Sequence, residues 1–222
     1  MDQIFHLLEE KGVSTVEELQ QTAAEHDYAF SFLQELPLGD YKRLEGYLYP
    51  DTSEFYTPHD PVYAINKLLV RFDQQFNDDL RAQAPEKGYS VHQILTIASL
   101  IEKETDGGDR ARISSVIYNR LNNPTAGTAG FLNIDATLAY INGGRVPTEA
   151  DKSLDSPYNT YKYKGLPPSP IANPGMASIN AALNPAKENY FYYALGDDGV
   201  HHYFQTYDGL LNFLNSQALY RN

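Results

Sequence analysis

ILTIASLIEKET, residues 94–105, decides the fold class. Its apolar side chains at Ile94, Leu95, Ile97, Ala98, Leu100 and Ile101 recur at helical spacing, and Ser90 stands ready as a cap, so a core-facing helix is predicted. At about 100° per residue, Ile94, Ile97, Ala98 and Ile101 mark the centre of the apolar stripe. Thr96, Ser99 and Lys103 lie away from it. Glu102 projects between Leu95 and Ala98, on one shoulder of the stripe. Glu104 falls on the other, between Ile97 and Leu100.

A carboxyl on such a shoulder is partly desolvated, which raises its pKa and favours the neutral acid. A carboxylic acid that stays protonated at working pH can give its proton to a departing alcohol oxygen, so Glu102 is a candidate general acid. Periodicity leaves a second reading open, in which Glu102 reaches solvent or pairs with Arg110 or Arg112. Glu104 reads as an orienting or pairing group.

Working outward, IFHLLEEKG predicts a helix ending at Gly12, and STVEELQQTAAEH a second one with Ser14 and Glu17 as a capping box. YKRLEGYLYPDTSEFYTP is extended, with a turn at Pro50-Asp51-Thr52-Ser53. A longer helix starts near Asp60 with Pro61 in its first turn and Ile65, Leu68, Leu69, Phe72 and Phe76 along one stripe. ISSVIYNRL is another, with Ile113, Val116, Ile117 and Leu121 turned inward.

From about residue 122 the texture becomes loop-like: NNPTAGTAG, NIDATLAYING, then SPYNTYKYKGLPPSPIANPG. Four of the eight residues from 167 to 174 are proline, so this segment is stiff and short of backbone donors. It reads as the wall of a site or as a linker. ASINAALNP is a helix, YFYYALGDDGVHHYFQTY forms two β runs about the Gly196–Gly199 turn, and DGLLNFLNSQAL is a closing helix. The predicted class is α+β, mainly helical, with a small antiparallel β element.

A net charge of −12 argues against a nucleic-acid partner, which requires clustered Lys and Arg. Residues 1–40 carry nine acidic residues against Lys11 alone, which marks a candidate boundary near Asp40. The chain lacks cysteine, so thiolate sites and disulfides are excluded. Its longest apolar run falls short of the ~20 residues a spanning helix takes. Eighteen tyrosines and no tryptophan fit either sugar stacking or half-buried positions in a small sheet. Nucleophile-elbow, phosphate-loop, dinucleotide and zinc-helix motifs are missing, and His201 and His202 would point to opposite faces of one strand. No metal or cofactor is expected.

LEGYLYPDT, ILTIASLIEKET, ISSVIYNRL, NIDATLAY, SPYNTY, GLPPSPIANPG and YFYYALGDDGVHHYFQTY follow one another as in the membrane-anchored endolytic murein transglycosylases, the YceG-like family, and the chain resembles that family from about Leu44 to Tyr207. The resemblance implies cleavage of the β-1,4 bond between N-acetylmuramic acid and N-acetylglucosamine in peptidoglycan, leaving a 1,6-anhydro end. It implies that the first glutamate of EKET, Glu102, is catalytic, and that residues 41–222 form the catalytic domain. Residues 1–40 then correspond to the helical part of a LysM-like subdomain. An anchor upstream of these residues would hold the catalytic domain on the outer face of the membrane. Ser53, Ser169 and the lack of a histidine in YDGLLNFLN depart from the family pattern.

The same likeness puts Asp135, Thr137, Asn159, Thr160 and Tyr161 near the acid as substrate-binding residues, although Asp, Asn and Thr at such places also cap turns. Ser169 and Asn173 are candidates for hydrogen bonds from the wall of the site, and Glu45 and Asp51 for structural roles. The expected partners are peptidoglycan strands and cell-wall synthases. Two other readings compete: a two-carboxylate glycoside hydrolase, with Asp135 or Asp51 activating water, and a non-catalytic peptidoglycan-binding scaffold.

Overall fold

The computed structural model describes residues 1–220, which divide into two compact units. The first comprises Met1–Ser99 and Ser169–Ile179, the second Leu100–Pro168 and the residues from Asn180 onward.

In the first unit, α1 (Asp2–Glu10) and α2 (Val16–Glu25) precede a 3₁₀ turn at Ser31–Leu33 and another at Tyr41–Leu44. Then come α3 (Pro61–Gln75), the short α4 (Asp78–Arg81) and α5 (Gln83–Glu86), and most of α6 (Val91–Glu104). Gly12 ends α1 at φ +71°, as expected of a left-handed cap. The capping box of α2 lies one residue beyond the predicted pair. Thr15 Oγ1 accepts from the Glu18 amide at 3.2 Å, while Glu18 Oε2 accepts from the Thr15 amide at 3.1 Å and the Ser14 hydroxyl at 2.9 Å. Ser14 thus reinforces the cap without being it. Thr15→Ala should cost about 1 kcal/mol, read as a lower urea midpoint at unchanged slope.

Asp60 Oδ1 caps α3 through the Val62 amide at 2.8 Å, and Ile65, Leu68, Leu69 and Phe72 are buried along it, with Phe76 just past its end. Phe72 anchors an aromatic cluster with Phe32, Tyr47 and Phe76 at centroid distances of 5.0, 5.4 and 5.7 Å. Arg43 closes the end of α2, donating to Ala23 O at 2.8 Å and His26 O at 2.6 Å. Ser90 caps α6 as predicted, its Oγ accepting from the Gln93 amide at 3.2 Å. Residues 1–40 pack in the same unit as residues 41–99, so the charge shift near Asp40 does not coincide with the division between units.

The proline segment beyond Ser169 packs into the first unit. Asn173 Oδ1 accepts from the amides of Gly46 and Leu48 at 2.9 and 3.0 Å, and its Nδ2 donates to Glu45 Oε1 at 3.1 Å. Gly46 has φ +93°, and a Cβ there would sit 2.6 Å from the Pro170 ring. LEGYL and SPIANPG, more than a hundred residues apart, are therefore one structural feature.

The second unit contains the last turn of α6, α7 (Arg110–Asn122), α8 (Asp135–Ile141), the end of α9 (Met176–Leu183), β1 (Tyr192–Leu195), β2 (His201–Phe204) and α10 (Tyr207–Ser216). The two strands pair antiparallel, with Tyr193 opposite Tyr203, about the predicted turn. α8 corrects the sequence reading, which left NIDATLAYING as loop. Buried Ile134 and Leu138 anchor this short helix from one side. α7 carries the chain into the hairpin: Ser115 Oγ and Asn119 Nδ2 bond to Glu188 O at 3.0 and 2.7 Å, and Asn119 Nδ2 also reaches Tyr190 O at 2.8 Å. Among the described residues, no helix is long and apolar enough to cross a membrane.

Candidate active site

The last turn of α6 brings EKET into the second unit, where α7, α8 and the hairpin supply its neighbours. Glu104 is half-buried, and Tyr193 donates its phenol proton to Glu104 Oε2. Burial pushes the Glu104 pKa above the ordinary glutamate value; the Tyr193 bond opposes this, the Asp135 carboxylate adds to it, and Arg120 and the Ala136 amide oppose it. The net direction is upward. A partly exposed acid in a desolvated setting is suited to proton transfer.

Arg120 is 5% exposed, and burial lowers its own pKa. Its Nε donates to Phe191 O at 2.7 Å and its Nη1 to Leu132 O, while the guanidinium lies 5.5 Å from the Tyr193 ring centroid. The fixed positive charge therefore sits beside the phenol that serves Glu104. Tyr161 donates to Asp135 Oδ1 at 2.5 Å, which with burial raises the pKa of the phenol. That bond joins the SPYNTY loop to the start of α8.

The predicted residues separate into three groups. Asp135 and Tyr161 come together beside Glu104, Asp135 exposed and Tyr161 half-buried. Thr137, Asn159 and Thr160 are buried and hold the loops in place. Thr160 Oγ1 accepts from the Ile134 amide at 3.0 Å and meets Thr137 Oγ1 at 3.0 Å. Asn159 Nδ2 donates to Lys152 O at 3.0 Å and Leu154 O at 2.8 Å, while its Oδ1 accepts from the Tyr161 amide at 3.0 Å. These three side chains spend their polar atoms on the protein. The third group, Ser169 and Asn173, belongs to the first unit, where Asn173 is engaged with Glu45, Gly46 and Leu48. Glu102 is half-buried, about 200° around α6 from Glu104 and so on its opposite shoulder.

Arg120 and Tyr193 went unread in the sequence, as did a second cluster. Asp109, just before α7, accepts from Thr105 Oγ1 at 2.7 Å, from His201 Nδ1 at 2.8 Å and from the Tyr203 phenol at 2.7 Å. The period-2 alternation of His201 and Tyr203 was the available signal, since it places both on one strand face. His202 points away, to Asp198 Oδ2 at 2.9 Å. Among the described residues, no group of three or more His, Asp and Glu side chains could hold a metal ion.

A mainly helical α+β chain with a small hairpin and a desolvated glutamate at a helix end matches the YceG-like family over residues 1–214, and it belongs to that family. It is 41% identical over 159 residues to an endolytic murein transglycosylase of Bacillus subtilis, covering 70% of this chain and 43% of the relative. A Streptococcus pneumoniae protein with the same description is 32% identical over 169 residues, covering 73% of this chain and 30% of the relative. The chain thus spans less than half the length of either. The crystal structure of a YceG-like protein from Listeria monocytogenes superposes with a TM-score of 0.81 at 32% identity, covering 95% of this chain and 72% of that one.

Proposed function

We propose that this chain is a peptidoglycan lytic transglycosylase with Glu104 as its proton-carrying group. The observation that carries the reading is the setting of that carboxyl: burial and Asp135 favour the neutral acid, whereas Tyr193, Arg120 and the Ala136 amide favour the anion. A group that must first give a proton and then take one back needs both influences. Glu102, the residue implied by family likeness, lies on the other shoulder of α6.

In the first half of the reaction, Glu104 protonates the bridging glycosidic oxygen as the C1–O bond breaks, and the muramic acid ring becomes oxocarbenium-like. The resulting Glu104 carboxylate is stabilised by the phenol of Tyr193 and the charge of Arg120. It then takes the proton of the C6 hydroxyl as that oxygen bonds to C1 of the same ring. The intramolecular attack holds the advantage of proximity, and water is not consumed. Asp135, steered by Tyr161, is suited to orient hydroxyl or acetamido groups.

The nearness of Asp135 to Glu104 keeps a second reading in play, in which Asp135 activates water as in a two-carboxylate glycosidase. Mass spectrometry of digested glycan strands separates the two. Transglycosylation leaves muramic ends lighter by one water than hydrolysis does. Reducing ends alone would overturn the proposal.

A further inference from the structure

Beyond the acid itself, we propose that Asp109 is a positioning residue for the reaction, holding Glu104 and its phenol donor Tyr193 in register from two sides with a single carboxylate. The inference rests on the reading of Glu104 as the acid.

On one side, Asp109 Oδ1 accepts from Thr105 Oγ1 at 2.7 Å, and Thr105 is the residue after Glu104. The side chain of Thr105 also accepts from the Gly107 amide at 3.0 Å, so the chain leaving α6 is tied down directly beyond the acid. On the other side, Asp109 Oδ2 accepts from His201 Nδ1 at 2.8 Å and from the Tyr203 hydroxyl at 2.7 Å. Both belong to β2, and Tyr203 is the cross-strand partner of Tyr193. Their rings pack against that of Tyr193, with centroids 5.6 Å away for His201 and 6.1 Å for Tyr203. Arg112 supports the Tyr203 ring from 5.6 Å.

The carboxylate is built for this duty. Burial works against its charge, but the bonds from Thr105, Tyr203 and His201 outweigh it and hold the Asp109 pKa below the ordinary aspartate value. Asp109 therefore stays ionised while Glu104, five residues earlier, is held toward neutral. The groups facing Glu104 are Tyr193 from β1, Arg120 from α7, Asp135 and the Ala136 amide from α8, and Tyr161 from its loop. Among them, Tyr193 is the one whose ring packs on the two β2 residues bonded to Asp109 in the described contacts.

The test is the ionisation of Glu104, followed by NMR of a ¹³C-labelled side-chain carboxyl in Asp109→Asn, Tyr203→Phe and Tyr193→Phe proteins. The Tyr193 bond favours the anion, so loosening it must move the Glu104 midpoint upward. Simple electrostatics predicts the reverse for Asp109→Asn, because deleting a nearby negative charge makes a carboxylate easier to form. The expected result is an upward shift in both Asp109→Asn and Tyr203→Phe, no larger than that of Tyr193→Phe. Combining Asp109→Asn with Tyr193→Phe adds nothing further. On glycan strands, kcat falls about tenfold or more while KM stays within about twofold. An unchanged or downward midpoint in both variants, or effects additive with Tyr193→Phe, overturns the proposal. The NMR readout needs no turnover, so it stands apart from a failure of the transglycosylase reading, which would show as an absence of anhydro ends from the unaltered protein.

Discussion

Glu104→Gln abolishes measurable cleavage of glycan strands, with a loss of roughly 10²–10⁴-fold set by the value of general acid–base catalysis. The amide is nearly isosteric and still accepts from Tyr193, so binding of strands and the circular dichroism spectrum are retained. Glu102→Gln is the decisive comparison, because it lies on the same turn of α6 but on its other shoulder. It keeps the rate within about tenfold. If Glu102→Gln is the inactive protein and Glu104→Gln the active one, the assignment passes to Glu102 and the mechanism is rebuilt around that side of the helix.

The same substitution carries a stability signature with a definite sign. Glu104 has a folded pKa above its unfolded one, so the folded protein binds this proton more tightly. Its contribution is most favourable below the unfolded pKa and is lost as pH rises through the folded one. Glu104→Gln therefore melts above the unaltered protein at neutral pH, and the gap closes on acidification below the ordinary glutamate range. A gap that widened toward acid would mean that the carboxyl is held as an anion.

Arg120 is the second position of large effect. Arg120→Ala removes donors to Phe191 O and Leu132 O and a cation lying on the Tyr193 ring. Two carbonyls then lose their partners at about 1–3 kcal/mol each, and a packed side chain leaves a void. The expected loss of stability is about 3–5 kcal/mol, measured as a lower urea midpoint. Under the proposed mechanism catalysis suffers separately, because the positive charge stabilises the Glu104 carboxylate left once the proton is given. In Arg120→Met, which refills part of the volume, the basic limb of the pH–rate profile moves to higher pH. A loss under about 1 kcal/mol with an unmoved profile would remove Arg120 from both roles.

Much of the scaffold was legible because its signals are local. The stripes of α3 and α6, the Asp60 and Ser90 caps, and the hairpin about Gly196–Gly199 each depend on residues within a few positions of one another. The capping box slipped by one residue because Ser14 and Thr15 both offer a hydroxyl to Glu18. α8 was unread because seven residues are too few for a clear period, and Ile134 and Leu138 gain their value only by burial. For Asn159 and Thr160, composition marked a polar loop, and the same polarity turned out to serve the backbone of that loop.

By itself the sequence determined that α6 is buried, that it ends in two carboxylates on opposite shoulders, and that a β hairpin rich in Tyr and His follows far downstream. Only the tertiary structure set the surroundings of each shoulder, by placing Tyr193, Arg120 and Asp135 about Glu104. The reason is physical: helical periodicity fixes a direction in space from neighbours along the chain, whereas a proton affinity is set by whatever charges and dipoles the fold delivers to that direction from distant parts of it.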